Sequence, residues 1–141
     1  MTTIYYITGG LMVLFFIWIF YGWWKMKKTP MGPESDKIKN LDDKNFGNQV
    51  KSGIALVDFW ASWCMPCRMM VPVLNELAEE VDPSVKICKV NIEQYQSLAT
   101  QYSVRNIPTM LIFKNGKEVD RIVGVKTKDF LANKINMLKY K

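Results

Sequence analysis

Cys64 and Cys67 stand three positions apart in Trp63-Cys64-Met65-Pro66-Cys67, directly after the apolar run Ile54-Ala55-Leu56-Val57-Asp58-Phe59-Trp60-Ala61. Two thiols at this spacing, where a strand hands over to a helix, can close a disulfide with little backbone movement. The chemistry this allows is thiol–disulfide exchange, in which a thiolate attacks a disulfide sulfur and a second thiol completes the exchange. A helix starting at Cys64 would favour the thiolate, because its first N–H groups and positive dipole end stabilise negative charge. The chain has 3 cysteines and no histidine. A structural zinc site drawing on four Cys or His ligands is therefore not expected, and no metal is assigned. Cys-His and Ser-His pairs are equally unavailable, so a proton shuttle must use Asp, Glu or Lys.

Asp58 is the polar interruption in its apolar run. An unpaired carboxylate there is costly and its pKa should rise, which suits it to take the proton from Cys67, directly or through water. The third thiol, Cys88, lies in Val85-Lys86-Ile87-Cys88-Lys89-Val90. It is expected to be a small buried hydrophobe outside the site. Met69 and Met70 are expected to fill the core.

The elements that must position these groups follow from periodicity. A first edge strand is expected over Asp36–Asn40, and Asp42 is placed as N-cap of a short helix reaching about Val50. Ile54–Ala61 has the pattern of a strand covered on both faces. Met70, Val73, Leu74, Leu77, Ala78 and Val81 recur at helical spacing with Glu76, Glu79 and Glu80 opposite, and Pro72 removes one donor inside that helix. Val85–Val90 is the next strand and Ile92–Tyr102 a polar helix. Thr109–Phe113, Asn115-Gly116 and Glu118–Val123 form a hairpin, since Asn-Gly supplies positive φ angles. Thr127 caps a last helix whose buried stripe is Phe130, Leu131, Ile135 and Leu138.

The net charge of +6 is spread along the chain with no basic block, so nucleic acid is not an expected partner. The uncharged run Ile4–Trp24 would cover roughly the 30 Å of a bilayer core at about 1.5 Å per residue. Tyr5 and Tyr6 at one end, with Tyr21, Trp23 and Trp24 at the other, suggest an aromatic belt. No Lys or Arg precedes Ile4 and the far end is bulky, which favours a retained anchor over a cleaved signal. Lys25, Lys27 and Lys28 would hold the following domain on the cytoplasmic face, with an extracytoplasmic domain as the competing topology. Thr29–Ser35, with Pro30, Gly32 and Pro33, has the composition of a linker.

The ordered set Val57-Asp58-Phe59-Trp60-Ala61, Trp63-Cys64-x-Pro66-Cys67, Pro72, Lys89, Ile107-Pro108-Thr109, Phe113-Lys114-Asn115-Gly116 and Gly124 resembles thioredoxin, over about Asp36 to Lys141. The resemblance implies an α/β thioredoxin fold, a central mixed sheet of about five strands flanked by helices, here preceded by one transmembrane helix. The implied division is 1–28 anchor and basic flank, 29–35 linker, and 36–141 thioredoxin domain. Departures are Met65, where glycine is usual, and Arg68, where lysine is common. Met65 adds an apolar side chain near the attacking sulfur and bears on potential or substrate choice.

The resemblance implies a protein-disulfide reductase cycling between a Cys64/Cys67 dithiol and disulfide, with no bound cofactor. Cys64 attacks, Cys67 resolves, and Asp58 assists with Lys89 as its neighbour. A purely structural Asp58–Lys89 ion pair is the alternative. Trp63, Met65, Pro66, Gly124 and the Ile107-Pro108-Thr109 loop, which resembles the family's cis-proline loop, are the implied substrate-binding residues. Trp60 is expected to pack beneath the site. Disulfide-containing proteins are the implied substrates. Electrons would come from NADPH through thioredoxin reductase for a cytoplasmic domain, or from a membrane electron donor for an external one. Lack of histidine in the Met65-Pro66 pair favours reductase over oxidase or isomerase. The competing functions are an extracytoplasmic reductase or isomerase feeding a maturation pathway, and a redox-idle binding module held at the bilayer.

Overall fold

A computed structural model describes residues 2–28 and 33–140, with side chains described from residue 10 onward except at 23 and 25–28. The chain divides into two compact units, 1–30 and 31–141. The first is helix α1, Thr2–Lys28, whose large apolar side chains from Leu11 to Tyr21 are exposed. Among the described residues no helix is long and apolar enough to cross a membrane. That finding overturns the transmembrane anchor, the bilayer as partner and the membrane localisation expected above. The side chains of Tyr5, Tyr6, Trp23, Lys25, Lys27 and Lys28, which carry the expected belt and sidedness, lie outside those described, as do residues 29–32 of the expected linker.

The second unit contains β1 (Ile38–Asn40), α2 (Phe46–Val50), β2 (Ile54–Trp60), α3 (Met65–Glu80), β3 (Val85–Asn91), α4 (Gln96–Gln101), β4 (Thr109–Lys114), β5 (Lys117–Val123) and α5 (Lys128–Lys139). The strands form one mixed sheet in the order β1-β3-β2-β4-β5. Strand β3 runs parallel to β1 and β2, while β4 is antiparallel to β2 and β5. The central position of β2 explains its apolar run, interrupted at Asp58 alone, since alternate side chains enter two cores. Ile54 and Leu56 join Met70, Leu74 and Leu77 of α3 and Leu131 and Ile135 of α5. Ala55, Val57 and Phe59 face the other way, onto Phe46 and Val50 of α2 and Leu98 and Ala99 of α4.

The hairpin between β4 and β5 turns on Asn115 and Gly116, both at positive φ (51° and 84°), as the Asn-Gly pair predicts. Elsewhere local side-chain bonds shift the boundaries. Asp42 accepts from the N–H groups of Lys44 and Asn45 at 2.9 and 2.7 Å, while Asn45 Oδ1 accepts from Asp42 N–H at 2.9 Å. This reciprocal turn stands in front of the helix, which therefore starts at Phe46. Asn91 Oδ1 likewise accepts from Glu93 N–H at 2.8 Å, and Asn91 O from Tyr95 N–H at 2.9 Å. That turn delays α4 to Gln96, four residues after the expected start at Ile92. Two expected core residues are outside the core: Met69 and Phe130 are exposed, whereas Met70, Leu131 and Ile135 are buried.

Candidate active site

Strand β2 delivers the chain to one end of the sheet, and α3 begins one short turn later with Cys64 as its N-cap residue. Cys64 and Cys67 are joined by a disulfide with a Cα–Cα distance of 5.3 Å. Cys64 Sγ accepts from the Cys67 N–H at 3.2 Å, using one of the donors a helix leaves unpaired in its first turn. Pro66 fits the same turn, where a missing N–H costs nothing. The turn before the helix is fastened by Ser62 N–H to Glu93 Oε2 at 2.7 Å and by Arg68 Nη2 to Ser62 O at 3.1 Å.

In this disulfide form both cysteines are well covered, Cys64 at 4% and Cys67 at 1% exposure. Ala61, Cys64 and Cys67 form a small apolar cluster against which Trp60, Ile92 and Ile107 pack. Trp63 and Met65 flank Cys64 and are exposed. The Ile107–Pro108 peptide is cis. Pro108 O accepts from the Gly124 N–H at 2.9 Å, and Thr109 Oγ1 donates to Asn106 O at 2.6 Å. Gly124 has φ of +83°, a conformation an L side chain rarely adopts. Ile107 thus lies against the cysteine cluster, and Gly124 is tied to the proline that follows it.

Asp58 follows Ile54 and Leu56 at the same parity of β2, so it faces α3. It is 1% exposed, and neither carboxyl oxygen has a hydrogen-bond partner among the described residues. Burial pushes its pKa up to about 7, opposed by the nearby Lys89 ammonium and reinforced by Glu34. Lys89 is its register partner on β3. The buried Asp58–Lys89 ion pair considered above is not formed: the Lys89 ammonium pairs with Glu34. It also sits 4.6 Å from the centre of the Trp60 ring, in the range of a cation–π contact. Cys88 is free and buried, its thiol pushed up to about 11 chiefly by desolvation, which makes it a poor nucleophile.

The fold therefore gathers Cys64, Cys67, Trp63, Met65, Pro66 and Ile107 at one end of the sheet, with Pro108, Thr109 and Gly124 in the adjoining turns. Asp58 and Lys89 occupy the strands behind. Sequence reasoning missed Glu34, which lies in a segment assigned to a linker and carries no periodicity. Its one signal was an acidic residue just ahead of β1, the strand paired with the one bearing Lys89.

Comparison with known proteins agrees with this geometry. The family model described as Thioredoxin matches residues 37–137. A thioredoxin of Chlamydia pneumoniae is 48% identical over 99 residues, covering 70% of this chain and 96% of the relative. One of Staphylococcus saprophyticus is 44% identical over 98 residues, covering 70% and 94%. Among solved structures, a mutant thioredoxin from Halobacterium salinarum NRC-1 superposes with a TM-score of 0.67 at 30% identity, over 74% of this chain and 93% of that one. Thioredoxins carry their redox chemistry in a disulfide and need no bound cofactor, which the Cys64–Cys67 pair fits. The chain belongs to the thioredoxin family and is a thioredoxin-type thiol–disulfide oxidoreductase.

Proposed function

We propose that the chain reduces protein disulfides through the Cys64/Cys67 pair and is returned to the dithiol by electrons from NADPH delivered through a thioredoxin reductase. The observation that carries this is the closed Cys64–Cys67 disulfide on the first turn of α3, with Cys64 Sγ held by the Cys67 N–H. The catalytic unit is 36–141, with Cys64, Cys67, Asp58 and Lys89 as its working residues.

In the reduced state the same N–H and the helix dipole favour a Cys64 thiolate. That thiolate attacks one sulfur of the substrate disulfide; the S–S bond breaks, the other substrate sulfur leaves as a thiolate and takes a proton, and a mixed disulfide joins Cys64 to substrate. Cys67 passes its proton to the Asp58 carboxylate, directly or through water, and attacks Cys64 Sγ. The substrate's second sulfur leaves with the electron pair and is protonated. Two electrons have moved to the substrate, and the protein is left with the Cys64–Cys67 disulfide. A buried carboxyl with a pKa near 7 is matched to a proton taken and given back near neutral pH.

Trp63, Met65, Pro66, Ile107, Pro108, Thr109 and Gly124 form the surface on which an extended substrate segment docks. The exposure of Trp63 and Met65 beside a covered disulfide supports this role, since exposed aromatic and methionine side chains offer adaptable apolar contact. The Met65-Pro66 pair has no histidine, which favours reduction over oxidation or isomerisation.

The test is insulin reduction with dithiothreitol. The wild-type chain should accelerate precipitation of the insulin B chain, and the Cys64→Ser, Cys67→Ser double variant should not. Equal rates with the two proteins would leave a binding module in place of the reductase.

A further inference from the structure

Glu34 has no part in the reaction just described, yet it holds the lysine next to the buried base. The backbone around it is clamped to α3. Asn75 Nδ2 donates to Pro33 O at 2.8 Å, and Asn75 Oδ1 accepts from Ser35 N–H at 2.9 Å. Ser35 Oγ adds a bond to Glu79 Oε1 at 2.6 Å. With both neighbours fixed, the Glu34 carboxylate closes on the Lys89 ammonium. Lys89 is almost fully buried, and its ammonium lies over the Trp60 ring. Across the β2–β3 pair, Asp58 has no hydrogen-bond donor on either oxygen among the described residues. One ammonium thus serves two nearby carboxyl groups, and the surface-derived one holds it.

We propose that Glu34 is a positioning residue: by engaging the Lys89 ammonium it keeps that cation off the Asp58 carboxyl and so sets the pH at which the mixed disulfide is resolved. The inference rests on Asp58 acting as the base for Cys67. The charged groups acting on Asp58 are Lys89 from β3 and Glu34 from the segment before β1. Its register partner on β4 is the uncharged Met110. The proposed proton donor, Cys67 of α3, titrates once the disulfide opens, and Trp60 follows on β2 without a titrating group. Lys89 favours the ionised form of Asp58, while Glu34 disfavours it both by its own charge and by occupying Lys89.

Glu34→Gln removes a negative charge and releases the cation, and both changes move Asp58 ionisation to lower pH. The measurement is a carboxyl-carbon NMR titration of Asp58 in the full-length oxidised protein, paired with the pH dependence of mixed-disulfide release. The expected result is a midpoint lower by about one pH unit in Glu34→Gln, and a matching shift in the release profile. Asn75→Ala keeps both charges but frees the clamp, and is expected to shift the midpoint in the same direction by less. An unchanged Asp58 midpoint in Glu34→Gln overturns the proposal. A shift in Glu34→Gln with none in Asn75→Ala also overturns it, leaving a through-space charge effect without positioning. The titration needs no turnover, so failure of the wild type to reduce insulin would sink the reductase reading and leave this result standing by itself.

Discussion

A buried carboxyl with no donor aimed at it is a poor place for a charge, and Asp58 should therefore make the stability of the protein depend on pH. Its folded pKa of about 7 lies above the ordinary 3.8. Between those values the folded protein holds a proton that the unfolded chain has lost. The contribution of Asp58 to stability is then fullest below about pH 4, falls as pH rises through the window, and levels off above 7. A shift of this size corresponds to a difference on the order of 4 kcal/mol between the ends of the window. Asp58→Asn should flatten the slope between about pH 4 and 7 and be more stable than the wild type at pH 8, as read by urea unfolding of the oxidised proteins at a series of pH values. A slope unchanged in the variant would assign it to other groups. The same substitution should slow release of the mixed disulfide on the order of 100-fold, the usual contribution of a positioned base. The group that destabilises the fold at neutral pH is thus the one proposed as the base for Cys67.

At the scale of elements, the difference between a helix face as expected and as formed is sharpest in α5. Leu131 is fully buried between α3 and the sheet, whereas Phe130 is 40% exposed, within 5.6 Å of the Lys126 ammonium by ring centre. Leu131→Ala should cost about 2–5 kcal/mol in equilibrium unfolding, the range for a buried leucine. Phe130→Ala should cost less than about 1 kcal/mol, the scale of an exposed cation–π contact. Similar losses from the two would mean that the helix is rotated from the orientation described. Residue patterning placed β2, β3 and the long α3, because runs such as Ile54–Trp60 and the stripe from Met70 to Leu77 are long enough to fix a face, and the Asn115-Gly116 turn placed β4 and β5. It failed at Phe130 and Met69, where an apolar residue at the margin of a stripe is assigned to the core by type alone. It also failed at the starts of α2 and α4, where Asp42, Asn45 and Asn91 bind nearby N–H groups and hold the chain in a turn.

Across the whole chain, the site was legible where it is local in sequence and illegible where it depends on distant contacts. Cys64, Cys67 and the helix start that holds them lie within one short stretch, and their chemistry follows from their spacing. That Lys89 pairs with Glu34 and not with its strand neighbour Asp58 depends on Asn75 and Ser35, contacts spanning 40 and 55 residues of chain. No pattern of residue types along the chain encodes that choice. It leads to a prediction about where the functional unit starts. Among the described residues, the buried ones all lie from Ile38 onward, so removal of 1–32 should leave the unfolding midpoint in urea and the rate of insulin reduction unchanged. Removal of 1–35 keeps the same core but takes Glu34 and the clamped backbone with it. That shorter protein should still fold and reduce insulin, with the pH profile of mixed-disulfide release displaced downward by about one unit, as in Glu34→Gln. Identical profiles for the two truncations would show that the residues just ahead of β1 have no influence on the base, and a lower midpoint for the longer one would mean that 1–32 contribute to the fold.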